Sequence, residues 1–288
     1  MQQLINGVSL GAVYALIAVG FALVYNILKF SNFAHGGVMV AGAYFGYFLA
    51  SSFQFGFFTV LALTAAFAAA CAVIIELVAF RCIRNSNGPL IYYFVSSITV
   101  GMFIESVITI FKGSTFYAYP KLTTTSVIQF GEISIPLLNM LMLTISAVVL
   151  VGLMWVIMKT PFGISVRAVS FDVRTSKLMG MNTARIISLT FLVSGLLGGI
   201  SGVFLGMSYT LYPQLGQLVV KGWIASVLGG LGSLEGAVLG AFILGLVEVY
   251  LVSTMGAGLS MVFIFVLTLL FLMVRPQGIA GNVVRDKA

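Results

Sequence analysis

Catalysis needs nucleophiles, bases or metal ligands held in register, and this chain of 288 residues carries few of any. Its single histidine is His35. Its two cysteines, Cys71 inside an apolar run and Cys82 just past it, have neither metal-ligand spacing nor the pattern of a disulfide framework. H-E-x-x-H does not occur, the G-x-S-x-G match GVSLG at Gly7 to Gly11 lies inside an apolar run without the strand-turn-helix context of a nucleophile elbow, and with no Gly-Lys dipeptide there is no Walker A loop to cradle ATP phosphates. GGLGSLEG, from Gly229, falls outside the G-x-G-x-x-G register and has no βαβ context. No catalytic residues, metal site or resident cofactor are expected, and any energy the protein uses must be supplied by another chain.

What remains is charge in apolar surroundings. Glu76, Glu105 and Glu248 stand within apolar runs, and acids so placed are the usual mark of ion-coupled transport. Glu76 precedes Arg81 by five residues near a helix end, a spacing that favours a structural pair over a proton relay. Glu105 has no basic residue near it in sequence and is the best candidate for a working intramembrane charge, with interhelical hydrogen bonding as the alternative. Glu248 is expected towards the outer end of its helix. The stretch FSNFAHGG breaks another apolar run: there Asn32 could cap a following half-helix, whose exposed N–H groups would favour a carboxylate. His35 is either a contact on a path or a satisfied structural group. Asn32, His35, Gly36, Glu105, Gly229 and Gly230 are therefore the candidate path residues.

The longest polar interruption, KTPFGISVRAVSFDVRTSKLMGMNTAR, spans residues 159–185 and sets Lys159, Arg167, Arg174, Lys177 and Arg185 against one acid, Asp172. Ser170 or Asp172 can cap a short helix that Gly180 stops, and Asn182 can cap the next span. On a helical wheel Phe171, Leu178 and Met179 cluster, with Arg174 and Lys177 on an adjacent strip. That pattern suits a helix seated in a groove of a partner; an ordinary solvated positive-inside loop fits the composition equally.

The elements that must hold these residues are membrane helices. Hydrophobic residues make up 60% of the chain and charged residues 7%, with a mean hydropathy of +1.15, whereas soluble domains carry about a quarter charged residues. Apolar runs of roughly 20 residues recur, each able to cross a hydrocarbon core of about 30 Å. The net charge of +7 is accounted for by basic cytoplasmic loops, not by nucleic-acid binding. The chain reads as one all-α polytopic bundle over residues 1–288, with about eight spanning helices plus broken or half-helices. Its first run lacks the basic flank and cleavage site of a signal peptide and is expected to stay as a helix.

Spans are expected at 4–28, 56–80, 90–111, 137–158, 186–209, 236–252 and 259–274, with a broken helix over 38–50. Arg81 and Arg84 are placed in a short loop ending at Gly88 and Pro89, and Gly113 to Pro136, with Lys121 and Glu132, in an external loop with some extended structure. Gly195, Gly199, Gly202 and Gly206 mark a tightly packed helix face. A full span around Lys221 would bury its charge at a cost of about 2.5–3.5 kcal/mol, so a half-helix with Lys221 outside it at the outer interface is preferred. Arg285 and Lys287 suggest a cytoplasmic C-terminus, and the balance of spans an external N-terminus. GGVMVAGAYF (36–45) faintly echoes EGAVLGAFI (235–243), as broken segments in corresponding halves of transporters do.

NGVSLGAVYALIAVGFALVYNI, NFAHGG with Gly42 to Tyr44, the basic segment from Arg167, VLGGLGSLEGAVLGAFILGLVE and RPQGI together resemble the LivH-type permease subunits of branched-chain amino acid ABC importers, over essentially the whole chain. The resemblance implies an inner-membrane permease working with a second related permease subunit, two cytoplasmic ATPase subunits that bind the ATP, and an extracytoplasmic substrate-binding protein. It implies that Arg167, Phe171, Asp172, Arg174, Lys177, Leu178 and Gly180 belong to the segment coupling the permease to an ATPase. Gly37, Glu105 and Glu235 depart from residues common in the family (Glu, Gln and Pro). Relatives also handle urea, short amides and other amino acids; the rivals are an ion-coupled secondary transporter using Glu105 or Glu76, a sugar permease of the same broad superfamily and a non-transporting membrane scaffold.

Overall fold

Within a bilayer the backbone has no water to bond, so each crossing must close its own hydrogen bonds, and this chain does so with helices. The computed structural model describes residues 1–281 apart from 87, 121, 123–126 and 131–132. From the first residues run α1 (Gln2–Leu28) and α2 (Ala34–Ser52). Then come α3 (Phe57–Ile75), a π segment (Glu76–Phe80) and α4 (Arg81–Asn85), joined as one rod, and α5 (Leu90–Lys112). A hairpin of β1 (Val127–Phe130) and β2 (Ile133–Pro136) leads into α6 (Leu137–Lys159). Two short helices, α7 (Pro161–Phe171) and α8 (Val173–Leu178), precede α9 (Thr183–Ser208). A 3-10 turn (Pro213–Leu218) runs into α10 (Val219–Gly229), and α11 (Leu234–Met255) and α12 (Ala257–Val274) complete the bundle.

Seven of these elements are long and apolar enough to cross a membrane. The 19-residue α2 and the 3-10 turn with α10 are not among them. Lys29, Arg81, Arg84, Lys159, Arg167, Arg174, Lys177, Arg185 and Arg275 gather on one face, with Lys112 on the other. By the positive-inside rule the first face is cytoplasmic, which puts the start of α1 outside. Arg285 and Lys287, like Lys121 and Glu132, lie outside the described residues.

The centre of the bundle is α1 and α9, both apolar nearly all round. Small residues let them approach their neighbours: Gly7 and Gly11 pack on Leu246 and Phe242 of α11, and Gly195 and Gly199 pack on the Ala65–Ala72 stretch of α3. α5 and α12 show most of their surface.

Three expectations are corrected. Arg81 and Arg84 are helical rather than in a loop, because the π segment carries the rod on to Asn85. The basic stretch holds two helices, not one: Thr160 caps α7 by accepting from the Gly163 amide, with Pro161 in the first turn. The echoing segments begin at different depths, since Asn26 near the inner end of α1 bonds Gly232 just before α11, whereas α2 starts beside Gly20, deep in the membrane.

Candidate functional site

Two interrupted elements meet inside the membrane. Gly36, in the first turn of α2, lies against Gly216 in the 3-10 turn ahead of α10, so closely that a Cβ on Gly36 would collide with the Gly216 carbonyl and the Val219 side chain. Gly37 rests on Gly101 of α5. Beside this crossing is a cleft of about 270 Å³ walled by Phe33, Phe94, Val219 and Val220, with Gln217 and Glu105 as its polar members. Glu105 reaches the crossing itself: its Oε1 would lie 3.0 Å from a Cβ on Gly216. Among the described residues Glu105 makes no ion pair, whereas Glu76 and Glu248 both do.

The tightness of this crossing yields a test. Gly36→Ala is expected to lower unfolding stability by about 1–3 kcal/mol through overpacking. Gly152→Ala, where a Cβ meets nothing within 4 Å, should stay within about 0.5 kcal/mol. Thermal unfolding of the two variants in one detergent measures the difference, and equal effects would remove the packing argument.

The other path candidates divide. Asn32 does not cap α2: Phe33 occupies the cap position, its amide donates to Ser97 Oγ of α5 at 3.2 Å, and Asn32 Oδ1 is buried with no partner. His35 is a strut. Its ring packs against Gly20 of α1 and Gly198 of α9, and Nδ1 lies 3.3 Å from Ser194 Oγ. Ser194 donates to the Gly20 carbonyl at 2.8 Å, which leaves its oxygen to accept from His35 Nδ1–H. Gly229 and Gly230 lie at the far end of α10. Gly229 abuts Gly236, and Gly230, at φ +109°, abuts residues 277–281, so the pair forms an inner-face turn away from the cleft. Sequence reasoning passed over Gly216, whose only local signal is a glycine three residues after Pro213.

Lys221 is likewise repositioned. It sits in the first turn of α10 rather than outside it, and its charge is met inside the protein by Glu248 at 2.5 Å and by the Tyr14 hydroxyl at 3.1 Å.

At the cytoplasmic face α7 buries Gly163, Val166 and Val169 on the bundle, and Arg167 donates to the Ile157 carbonyl at the end of α6. That anchored helix presents α8. Asp172 Oδ1 accepts from the Arg174 amide at 2.7 Å and the Thr175 amide at 3.2 Å, while Oδ2 accepts from the Thr175 hydroxyl at 2.6 Å. The Thr175 hydroxyl first, then the two amides, hold the Asp172 carboxyl below the usual carboxylate range, so the cap is charged at neutral pH. Ser170 instead donates to the Arg167 carbonyl. Gly180, at φ +82°, closes α8, and Asn182 accepts from the Arg185 amide to start α9. Phe171, Leu178 and Met179 are left 94%, 86% and 78% exposed, with Arg174 and Lys177 exposed among them.

Comparison with known proteins covers the same ground. The family model described as the branched-chain amino acid transport system permease component matches residues 3–272. The high-affinity branched-chain amino acid transport system permease protein BraD of Pseudomonas aeruginosa is 36% identical over 98% of this chain and 96% of its own length. LivH of Escherichia coli K12, of the same description, is 34% identical over the same shares. A probable branched-chain amino acid transport permease protein LivH of Methanocaldococcus jannaschii is 26% identical over 92% of this chain and 88% of its own length. No solved structure matches the chain significantly. A helical bundle with seven helices long enough to cross a membrane among its described residues, matched along almost its full length, belongs to the branched-chain amino acid transport permease family of multi-pass inner-membrane transport subunits.

Proposed function

We propose that this chain is the membrane-spanning subunit of an ATP-driven ABC importer for branched-chain or similar hydrophobic amino acids. The observation that carries the reading is the near-complete match to permeases whose relatives move branched-chain amino acids. ATP is bound and hydrolysed on two separate cytoplasmic subunits, each seated on a copy of α8 with its apolar end and basic flank. A second, related permease faces the exposed side of α5, and an extracytoplasmic binding protein delivers the cargo to the outer face. The path runs through the cleft at the Gly36–Gly216 crossing, where apolar walls suit an aliphatic side chain and Glu105 suits an ammonium group.

Ion coupling is the less favoured reading, because Glu76 and Glu248 are committed to ion pairs and Glu105 alone is left to carry protons. Uptake of labelled leucine into proteoliposomes decides between them. Uptake should require the second permease, the ATPases, ATP and the binding protein together. Uptake by this chain alone under an ion gradient would overturn the proposal.

A further inference from the structure

The ion pair between Lys221 and Glu248 is incomplete. Glu248 is 5% exposed and uses only Oε1 on Lys221, while Oε2 is buried with no partner among the described residues. Lys221 Nζ has three hydrogens and spends them on two acceptors, Glu248 and the Tyr14 hydroxyl, with the Tyr209 ring 5.9 Å away. A buried unmet acceptor is costly. Both side chains line a cavity of about 410 Å³ between α1, α11 and α12. Its polar rim includes Gln3, Asn6 and Tyr209, and its apolar wall includes Val252, Met261 and Ile264.

We propose that this cavity is a binding site for a small zwitterion with an apolar side chain, the class of an aliphatic α-amino acid, distinct from the path through the cleft. The ligand's ammonium donates to Glu248 Oε2, its carboxylate accepts the remaining Lys221 N–H, and its side chain lies on Val252, Met261 and Ile264. A lone anion would be repelled by Glu248 and a lone cation by Lys221, so the pair selects a molecule carrying both. The same ammonium-and-anion chemistry occurs in phosphatidylethanolamine headgroups. Depth favours the free molecule: Glu248 lies seven residues below the outer end of α11, or about 10 Å, too deep for a headgroup held at the interface. The site also adjoins the cleft, because Val219 and Val220 line the cleft while Lys221, next on the same turn, lines this cavity. The ligand class matches the cargo proposed above, but the site is argued from its own side chains and is tested without ATPases.

The experiment is equilibrium binding of tritiated L-leucine to the full chain in phosphatidylcholine nanodiscs. Saturable binding is expected, weakened at least about tenfold by Glu248→Gln and by Lys221→Met. Ser253→Trp, which fills the mouth and leaves the pair intact, should weaken it equally and guards against misfolding of the charge variants. Glu105→Gln probes the cleft separately: binding that it removes belongs to the path, and the component that Glu248→Gln removes should persist in it. Isopentylamine and 4-methylpentanoate, each with half of the zwitterion, should compete at least about tenfold more weakly than unlabelled leucine. Absence of saturable binding, indifference to Glu248→Gln or Ser253→Trp, or displacement of leucine by phosphatidylethanolamine in the nanodisc would each overturn the site. Leucine binding lost in Glu105→Gln alone would instead place the cargo in the cleft and leave the permease reading standing.

Discussion

Substituting Asp for both Phe171 and Leu178 is expected to abolish ATP-driven uptake while leaving the chain inserted and folded. These side chains touch almost nothing in the subunit, so their loss should change its stability by no more than about 0.5 kcal/mol each. Seated in a partner's groove, each would contribute about 1.5–3 kcal/mol of apolar burial. Losing both therefore weakens association by about a hundredfold or more before the cost of burying two new carboxylates is added. Gly180→Val should act on the same contact indirectly, because a β-branched residue at φ +82° is strained and relief of that strain moves the end of α8. Pull-down of the ATPases, with substrate-stimulated hydrolysis and thermal unfolding in parallel, checks the expectation. Undiminished ATPase retention in the double variant would remove α8 as the docking element.

The reason α8 was readable from sequence while the cleft was not is the range of the interactions that build them. Asp172, Gly180 and Asn182 act on amides within three residues or on their own backbone, so residue type at one position suffices. Long apolar runs are equally local, and the spanning helices begin and end within a few residues of the predicted limits. Tertiary partners overrode the rest. Asn32 has the chemistry of a cap, but the acceptor used at the start of α2 comes from Ser97 on α5. The crossing at Gly36 depends on Gly216, far along the chain, and no spacing signals such a meeting. For an unpaired charge, avoiding the bilayer is the cheaper choice for Lys221; the chain instead supplies Glu248 from another helix. The π segment escaped because an α-helical period assumes that no extra residue is inserted.

That extra residue carries the second large prediction. Glu76 is 0% exposed, and its carboxylate takes Arg84 at 2.7 Å, Arg81 at 3.2 Å and the Ser188 hydroxyl of α9 at 2.7 Å. In an uninterrupted α-helix the partners of a residue stand at i+4 and i+7. Arg81 and Arg84 stand at i+5 and i+8, and the wider π turn absorbs one residue so that both come back onto the face of Glu76. Glu76→Leu is expected to cost about 3 kcal/mol, the low end for breaking a buried pair, because the Arg81 side chain is 35% exposed and can still be hydrated. Removing the orphaned cations as well, in Glu76→Leu with Arg81→Met and Arg84→Met, should recover most of that loss, since apolar replacements of a whole buried ion group are close to neutral. Reversible unfolding in mixed micelles measures both variants, and a triple variant no more stable than the single one would sink the pairing as the source of the effect. A structural clamp of this kind also separates Glu76 from proton coupling. Glu76→Gln should leave ATP-driven uptake equally insensitive to a pH gradient, whereas a relay residue would lose its gradient dependence with its charge.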